Sequence, residues 1–206
     1  MNTKKIYVVG NAREYSRWIK NHELVDNLAD ADIVLFTGGE DVDPSLYGKQ
    51  RHRTTYSNIQ RDLQEKEIFD QVKPNQLCLG ICRGSQFLCV MNGGILVQNV
   101  TNHATFGTHQ ICNRAGEVYE ITSTHHQMQF PFFLPKENYN VLYNAGNRSD
   151  YYEGDGIEVP PYDPEVVLYK TPGLPKCLAI QGHPEMMRND SPVIGMLNKL
   201  IDTYVG

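Results

Sequence analysis

The sequence predicts an α/β sandwich of three layers on a mostly parallel central sheet, and three observations carry that expectation. Short β-branched runs alternate with helical patterns along the chain. The first two runs end in glycine, where the chain must turn. The segment "QLCLGI" is a continuous apolar run, as central parallel strands buried on both faces are.

The elements follow in order. "KIYVVG" (5–10) reads as the first strand and "ADIVLFTGG" (31–39) as the second, with "REYSRWIKNHELVDNLA" (13–29) as a helix between them. A surface helix is expected over 58–72, packing Ile59, Leu63, Ile68 and Val72 inward. "QLCLGI" (76–81) is the next strand, followed directly by a helix over 83–92 and a strand in "GGILVQNV". Residues 108–124 read as a hairpin turning at "NRAGE", and "YNVLYNAG", "EVVLYKTP" and "CLAIQGH" supply three more strands. Asp190 or Ser191 caps a last helix whose inward stripe is Val193, Ile194, Leu197, Leu200 and Ile201. "SDYYEGDGIEVPPYDPE" (149–165) is acidic, aromatic and proline-rich, and is expected to be a surface excursion.

At 206 residues, one well-buried core is the default and a second full domain would leave both thin, so a single domain over 1–206 is expected. Nineteen Lys and Arg against 24 Asp and Glu give a formal charge of -5. That balance offers no general attraction to phosphate backbones or anionic membranes, so neither nucleic acid nor membrane is an expected partner. The apolar run in "MNTKKIYVVG" is too short for a signal peptide, and no segment is long enough to span a bilayer. Five cysteines without metal-like or framework spacing read as reduced thiols in a cytoplasmic protein, with no metal and no organic cofactor expected.

Cys82 needs its own account. In "GICRG" it stands between Gly80 and Gly84 at a strand-to-helix turn, where the glycines let strand and helix approach without a clash of β-carbons. A thiol placed there sits at a helix N-terminus, whose free N–H groups and dipole favour the thiolate. The pentapeptide alone leaves a buried structural cysteine equally open. A nucleophilic thiolate also needs a base and an orienter for that base, and "LAIQGHPEM" offers both. His183 and Glu185 are two residues apart and so point the same way in extended chain, a geometry Pro184 favours for the residue before it. Donors for an oxyanion are expected from the backbone of Arg83 and from Gly38 and Gly39 in "FTGGEDVDP", whose other reading is an ordinary turn ending a strand.

Taken together, "TGGEDVDPSLYG", "LGICRGSQFLCVMNGG", "STHHQM" and "IQGHPE" resemble the class I glutamine amidotransferase fold, a flavodoxin-like architecture. The likeness is closest to its γ-glutamyl hydrolase-like, C26-type branch, which includes γ-glutamyl-γ-aminobutyrate hydrolases. The resemblance implies Cys82 as nucleophile, His183 as base and then acid, Glu185 as orienter, and Arg83 with Gly38 and Gly39 around the oxyanion. It places Gln86 against the γ-glutamyl group, and His125, His126 and Gln127 at the substrate's amino-acid end, where a polar turn after a strand is the other reading. The reaction it implies is hydrolysis of a γ-glutamyl amide of a small molecule through a thioester. Two alternatives stay open: a glutaminase subunit delivering ammonia to a separate synthetase partner, and a non-catalytic binding protein of the same fold. Two further expectations concern the surroundings of the site. The chain is shorter before "TGG" than is usual in that branch, which would open the site, and Glu153, Asp155 and Glu158 would draw in a cationic amine tail if they lie beside the pocket.

Overall fold

The computed structural model describes residues 3–205. In chain order the strands and helices are β1 (Lys4–Val8), β2 (His22–Leu24), β3 (Ile33–Phe36), α1 (Ile59–Phe69), β4 (Leu77–Ile81), α2 (Arg83–Met91), β5 (Ile95–Val97) and β6 (Asn99–Val100). There follow β7 (Ala104–Cys112), β8 (Val118–Thr124), β9 (Met128–Phe130), β10 (Tyr139–Asn144), β11 (Tyr152–Glu153), β12 (Pro164–Tyr169), β13 (Cys177–Ile180) and α3 (Pro192–Tyr204). Nine strands make one sheet in the order β2-β1-β3-β4-β13-β12-β10-β7-β8. The pairings from β2 across to β13 are parallel. Those from β13 outward to β8 are antiparallel, so the parallel half carries an antiparallel wing. Two small ribbons, β6 with β11 and β5 with β9, lie outside this sheet.

The alternation of side chains along each strand builds the three layers. Ile33, Leu35, Leu77, Leu79, Ile81, Leu178 and Ile180 pack on one face with Val193, Ile194, Leu197 and Ile201 of α3. Val34, Phe36, Cys78, Cys177 and Ala179 pack on the other with Phe69 of α1 and Phe87 and Leu88 of α2. Every residue of β3, β4 and β13 is buried, which explains why these three runs lack the polar alternation of a one-faced strand.

Four expectations need correction. Residues 13–29 do not form a helix: they hold a 3-10 turn at Arg13–Ser16, the edge strand β2 and a second 3-10 turn at Leu28–Asp30. Trp18 and Ile19 are buried beside α3, where the Asn198 side-chain oxygen accepts from the Lys20 N–H (2.7 Å) and its amide donates to the Trp18 carbonyl (3.1 Å). These bonds give the Trp18–Lys20 backbone partners outside any helix. "GGILVQNV" is not one strand but β5 and β6, each paired with a different partner. The excursion at 149–165 is pinned by β11, and its end is buried: Asp163 and Glu165 are both inaccessible to solvent.

The fourth correction concerns α1. It forms where expected, capped by Asn58, whose side chain accepts from the Arg61 N–H. Its buried stripe, however, is Asp62, Glu65 and Phe69, while Leu63 is 42% exposed. The two carboxylates turn inward because Arg83, at the start of α2, is itself buried and bridges to both of them.

The turn between β4 and α2 is tightly crowded. A β-carbon on Gly80 would lie 2.5 Å from the Gly84 carbonyl oxygen, and one on Gly84 would lie 2.2 Å from that of Phe36. Gly84→Ala is expected to lower stability by about 2–3 kcal/mol, read as a shift in urea midpoint, because the clash is with a rigid central strand. Gly195→Ala in α3, where nothing lies within 4 Å of the added methyl, is expected to be neutral or stabilising by up to about 1 kcal/mol. Equal midpoints for the two variants would refute the crowding argument.

Candidate active site

Cys82 occupies the N-cap position of α2 with φ 51° and ψ -110°, a left-handed backbone that a residue with a β-carbon adopts only under constraint. The constraint comes from both sides: the Cys82 N–H donates to the Ile180 carbonyl of β13 (2.8 Å), and its carbonyl accepts from the N–H and hydroxyl of Ser85. β4 and β13 are adjacent parallel strands in register at Ile81 and Ile180, so the chain leaving β13 emerges beside the cysteine. Three residues on stands His183.

His183 is buried, and its Nδ1 lies 2.7 Å from Glu185 Oε1. The antiparallel wing holds its backbone: the His183 N–H donates to the Thr122 carbonyl (3.3 Å), and the Thr122 hydroxyl donates to the His183 carbonyl (2.6 Å). Burial works against a charged imidazole here, but Cys82 and Glu185 together outweigh it and raise the pKa of His183 to about 10. Tyr15 stands over this pair, with its ring centroid 6.4 Å from that of His183. Burial, then the charges of Glu185 and Cys82, push its phenol up to about 12, so it stays a neutral donor.

A cavity of about 200 Å³ opens at Cys82. One wall is Arg83 and Gln86 of α2; another is Thr124 with His125, His126 and Gln127; the rim is Gly39, Glu40, Asp41 and Tyr56. All four residues expected at the substrate thus line the same cavity as Cys82. Gln86 is buried and donates from Nε2 to the Gln127 carbonyl (2.9 Å), which also lies 2.8 Å from His125 Nδ1. Gln127 donates in turn to the Thr55 hydroxyl (3.1 Å), and His126 Nε2 lies 3.1 Å from Asp41 Oδ1.

The expected oxyanion donors are placed differently from one another. Arg83 supplies an early N–H of α2, where helix N–H groups have no intrahelical partner, while its side chain runs away from the cavity into the Asp62–Glu65 pair. Gly39 lines the cavity with φ +142°, and a β-carbon there would lie 2.0 Å from Arg61 Nη1. Gly38 does not line it: its carbonyl accepts from Arg61 Nη2 (2.9 Å), and a β-carbon on it would lie 2.6 Å from the Tyr15 hydroxyl.

Arg61 is the residue that sequence reasoning missed. It donates to Gly38, to Glu40 (2.9 Å) and to Glu65 (2.8 Å), and so ties the Gly38–Gly39 loop to the same acidic face of α1 that holds Arg83. The only linear trace of this is the spacing of Arg61 and Glu65, four residues apart on a helix. Glu153, Asp155 and Glu158 do not line the cavity. Glu153 accepts from Asn99 and Asp155 from the Gln50 N–H, and the acidic groups beside Cys82 are Glu40 and Asp41 instead.

Comparison with known proteins agrees with this architecture. The glutamine amidotransferase-like YvdE homolog of Lactococcus lactis subsp. cremoris is 33% identical over 128 residues, which are 59% of this chain and 65% of that protein. The chain spans between half and two thirds of the length of the first curated relatives it matches. Among solved structures, a glutamine amidotransferase from Thermotoga maritima superposes with a TM-score of 0.53 at 14% identity, over 98% of this chain and 86% of that one. A chain of PurLQS from the same organism superposes with a TM-score of 0.51 at 16% identity, over 95% and 92%. These likenesses establish the class I glutamine amidotransferase-like fold. The model of the peptidase C26 family matches residues 17–136, from Trp18 beside α3 through the Gly38–Gly39 loop and the Cys82 turn to the His125–Gln127 wall, and the chain belongs to that family.

Proposed function

We propose that the protein hydrolyses γ-glutamyl amide bonds through a thioester on Cys82. The observation that carries this reading is a cysteine held at φ 51° on the wall of a cavity, beside a histidine that is paired with a carboxylate and whose pKa that cysteine and carboxylate raise against burial. The thiolate attacks the γ-carbonyl, and the resulting oxyanion rests on the N–H groups of Arg83 and Gly39. His183, held charged by Cys82 and Glu185, gives its proton to the departing amine as the carbon–nitrogen bond breaks. Water then attacks the thioester with His183 as base, releasing glutamate and restoring the thiol. Gln86 and the His125–Gln127 segment hold the γ-glutamyl part, and the carboxylates of Glu40 and Asp41 at the rim favour a substrate ammonium group.

A second reading is a glutaminase that passes ammonia to a separate synthetase partner. The likeness to a chain of PurLQS favours it as the alternative. The two differ in what purified protein does alone: the hydrolase releases free amine from γ-glutamyl amides without additions, whereas a partner-dependent glutaminase is nearly idle.

Cys82→Ala is expected to lower kcat for amine release from γ-glutamyl amides by at least about 10³-fold; undiminished turnover would end the proposal. The pH profile provides a second check. With His183 charged up to about pH 10 rather than the ordinary 6.5, the alkaline limb of kcat/KM is expected near 10. Glu185→Gln removes one of the two interactions that raise the value and leaves the burial that lowers it. The limb is therefore expected to move to lower pH by about one unit or more. An unmoved limb would show that Glu185 does not act on His183.

A further inference from the structure

Behind the cavity wall, and reaching it only through His125, lies a second cluster of ionisable groups. His103, at the start of β7, His109 within it, His125 after β8, and Asp163 and Glu165 at the start of β12 are all buried. Glu165 Oε1 stands at the centre, 2.9 Å from His109 Nε2, 3.3 Å from His103 Nδ1 and 3.7 Å from His125 Nε2.

The outer contacts fix which nitrogens carry protons. His103 Nε2 lies 2.9 Å from the Asp163 carboxylate, and His125 Nδ1 lies 2.8 Å from the Gln127 carbonyl. Both oxygens only accept, so each of these nitrogens must be the donor. Asp163 is saturated with donors besides: the N–H groups of Arg148 and Ser149 and the hydroxyl of Tyr152 all point to it. In a neutral ring the other nitrogen is then a bare lone pair, and in both histidines it faces Glu165 Oε1. None of the inner atoms makes a hydrogen bond of acceptable geometry: His103 Nδ1, His109 Nε2, His125 Nε2 and both oxygens of Glu165 are buried without a partner. Lone pairs gathered round a carboxylate in a dry interior repel one another unless positive charge sits among them.

The separations suit a metal ion. A tetrahedral zinc with nitrogen and oxygen ligands at ~2.0–2.2 Å sets those ligand atoms ~3.3 Å apart, and the His109 and His103 contacts to Glu165 lie around that value. The ligand atoms of His103, His109 and Glu165 all fall within 4.8 Å of one another. The Asp163 carboxylate on His103 is the kind of outer partner that orients a metal-bound imidazole and sets its tautomer.

We propose that His103 Nδ1, His109 Nε2 and Glu165 bind one divalent transition-metal ion of the zinc class, with His125 Nε2 standing beside the cluster, 3.7 Å from Glu165 Oε1. All three ligands are buried away from Cys82, so the role is structural. Its place in the fold gives it a purpose. β10 pairs with β7 at a single register position, Asn144 with Cys112, so the backbone joins the wing weakly to the rest of the sheet. The ion would tie β7 directly to β12, beside the segment whose Gln127 carbonyl receives Gln86. The sequence leads to the expectation of no metal, and this proposal departs from it.

The test uses the full chain, without a histidine tag, stripped with chelator and titrated with Co²⁺ and separately with Zn²⁺. Wild type is expected to bind about one Co²⁺ per chain with the visible d–d bands of a tetrahedral site and no thiolate-to-cobalt charge-transfer band, and Zn²⁺ should raise Tm by about 5 °C or more. Glu165→Gln should weaken Co²⁺ binding at least about tenfold, and His22→Gln, on β2, should not. His109→Cys should retain binding and add a charge-transfer band from the new sulfur ligand. The proposal is overturned if wild type shows neither d–d bands nor a Tm shift, in which case protons alone supply the positive charge. A charge-transfer band in wild type, which puts the metal on native cysteines, or a wild-type titration for Glu165→Gln overturns it equally.

Discussion

The close approach of three backbone segments at Phe36, Gly80 and Gly84 is the constraint on which the site depends. Because a glycine stands on each side, the first turn of α2 can sit almost on β3 and β4. The residue between them is then left with no relaxed conformation, and Cys82 takes φ 51°. Strain of this kind persists only where its surroundings over-determine it. Here they do so with the bond from Cys82 to Ile180, the bonds from Ser85, and the buried bridges from Arg83 to α1. The backbone that carries the thiol is fixed by main-chain bonds and by charge, and the side chain itself packs against the core of the parallel half.

That arrangement explains which parts of the molecule were legible in the sequence. The parallel half was readable because both faces of β3, β4 and β13 are buried and their composition shows it. The Gly-flanked cysteine and the His-x-Glu pair were readable because each is a local pattern with a local physical meaning. The rest depends on partners distant in the chain. The inward stripe of α1 is acidic because Arg83 lies against it, and nothing in the helix's own residues announces that. Residues 13–29 carry helix-compatible composition, yet their backbone is taken by the edge of the sheet and by Asn198 from the other end of the chain. Arg61, His103, His109 and Glu165 belong to the same class: single polar residues whose significance appears only when separate strands bring them together.

The acidic face of α1 also unifies two features that look separate. Glu65 accepts from both Arg61 and Arg83, and one of these arginines holds the Gly38–Gly39 loop while the other begins the helix behind Cys82. Asp62 extends the network, bridging to Arg83 and accepting from the Asp43 N–H on the loop that forms the cavity rim. Buried charges of this sort are costly to desolvate and contribute little net stability. What they provide here is a fixed distance between two loops that would otherwise be joined only by flexible chain.

The seat of His183 has a further consequence. Its main chain rests on Thr122 in the antiparallel wing, and a β-carbon on the preceding Gly182 would lie 2.6 Å from the Thr122 carbonyl oxygen. The thiol is therefore held by the parallel strands alone, whereas the imidazole, which follows β13, also rests on a hairpin laid down much earlier in the chain. A chimera that exchanged this hairpin for a relative's would import a new resting place for the imidazole while leaving the sulfur where it was. Thr122 thus couples drift in the wing to the imidazole, and the hairpin is as much a part of the frame of the candidate site as the turn that carries the thiol.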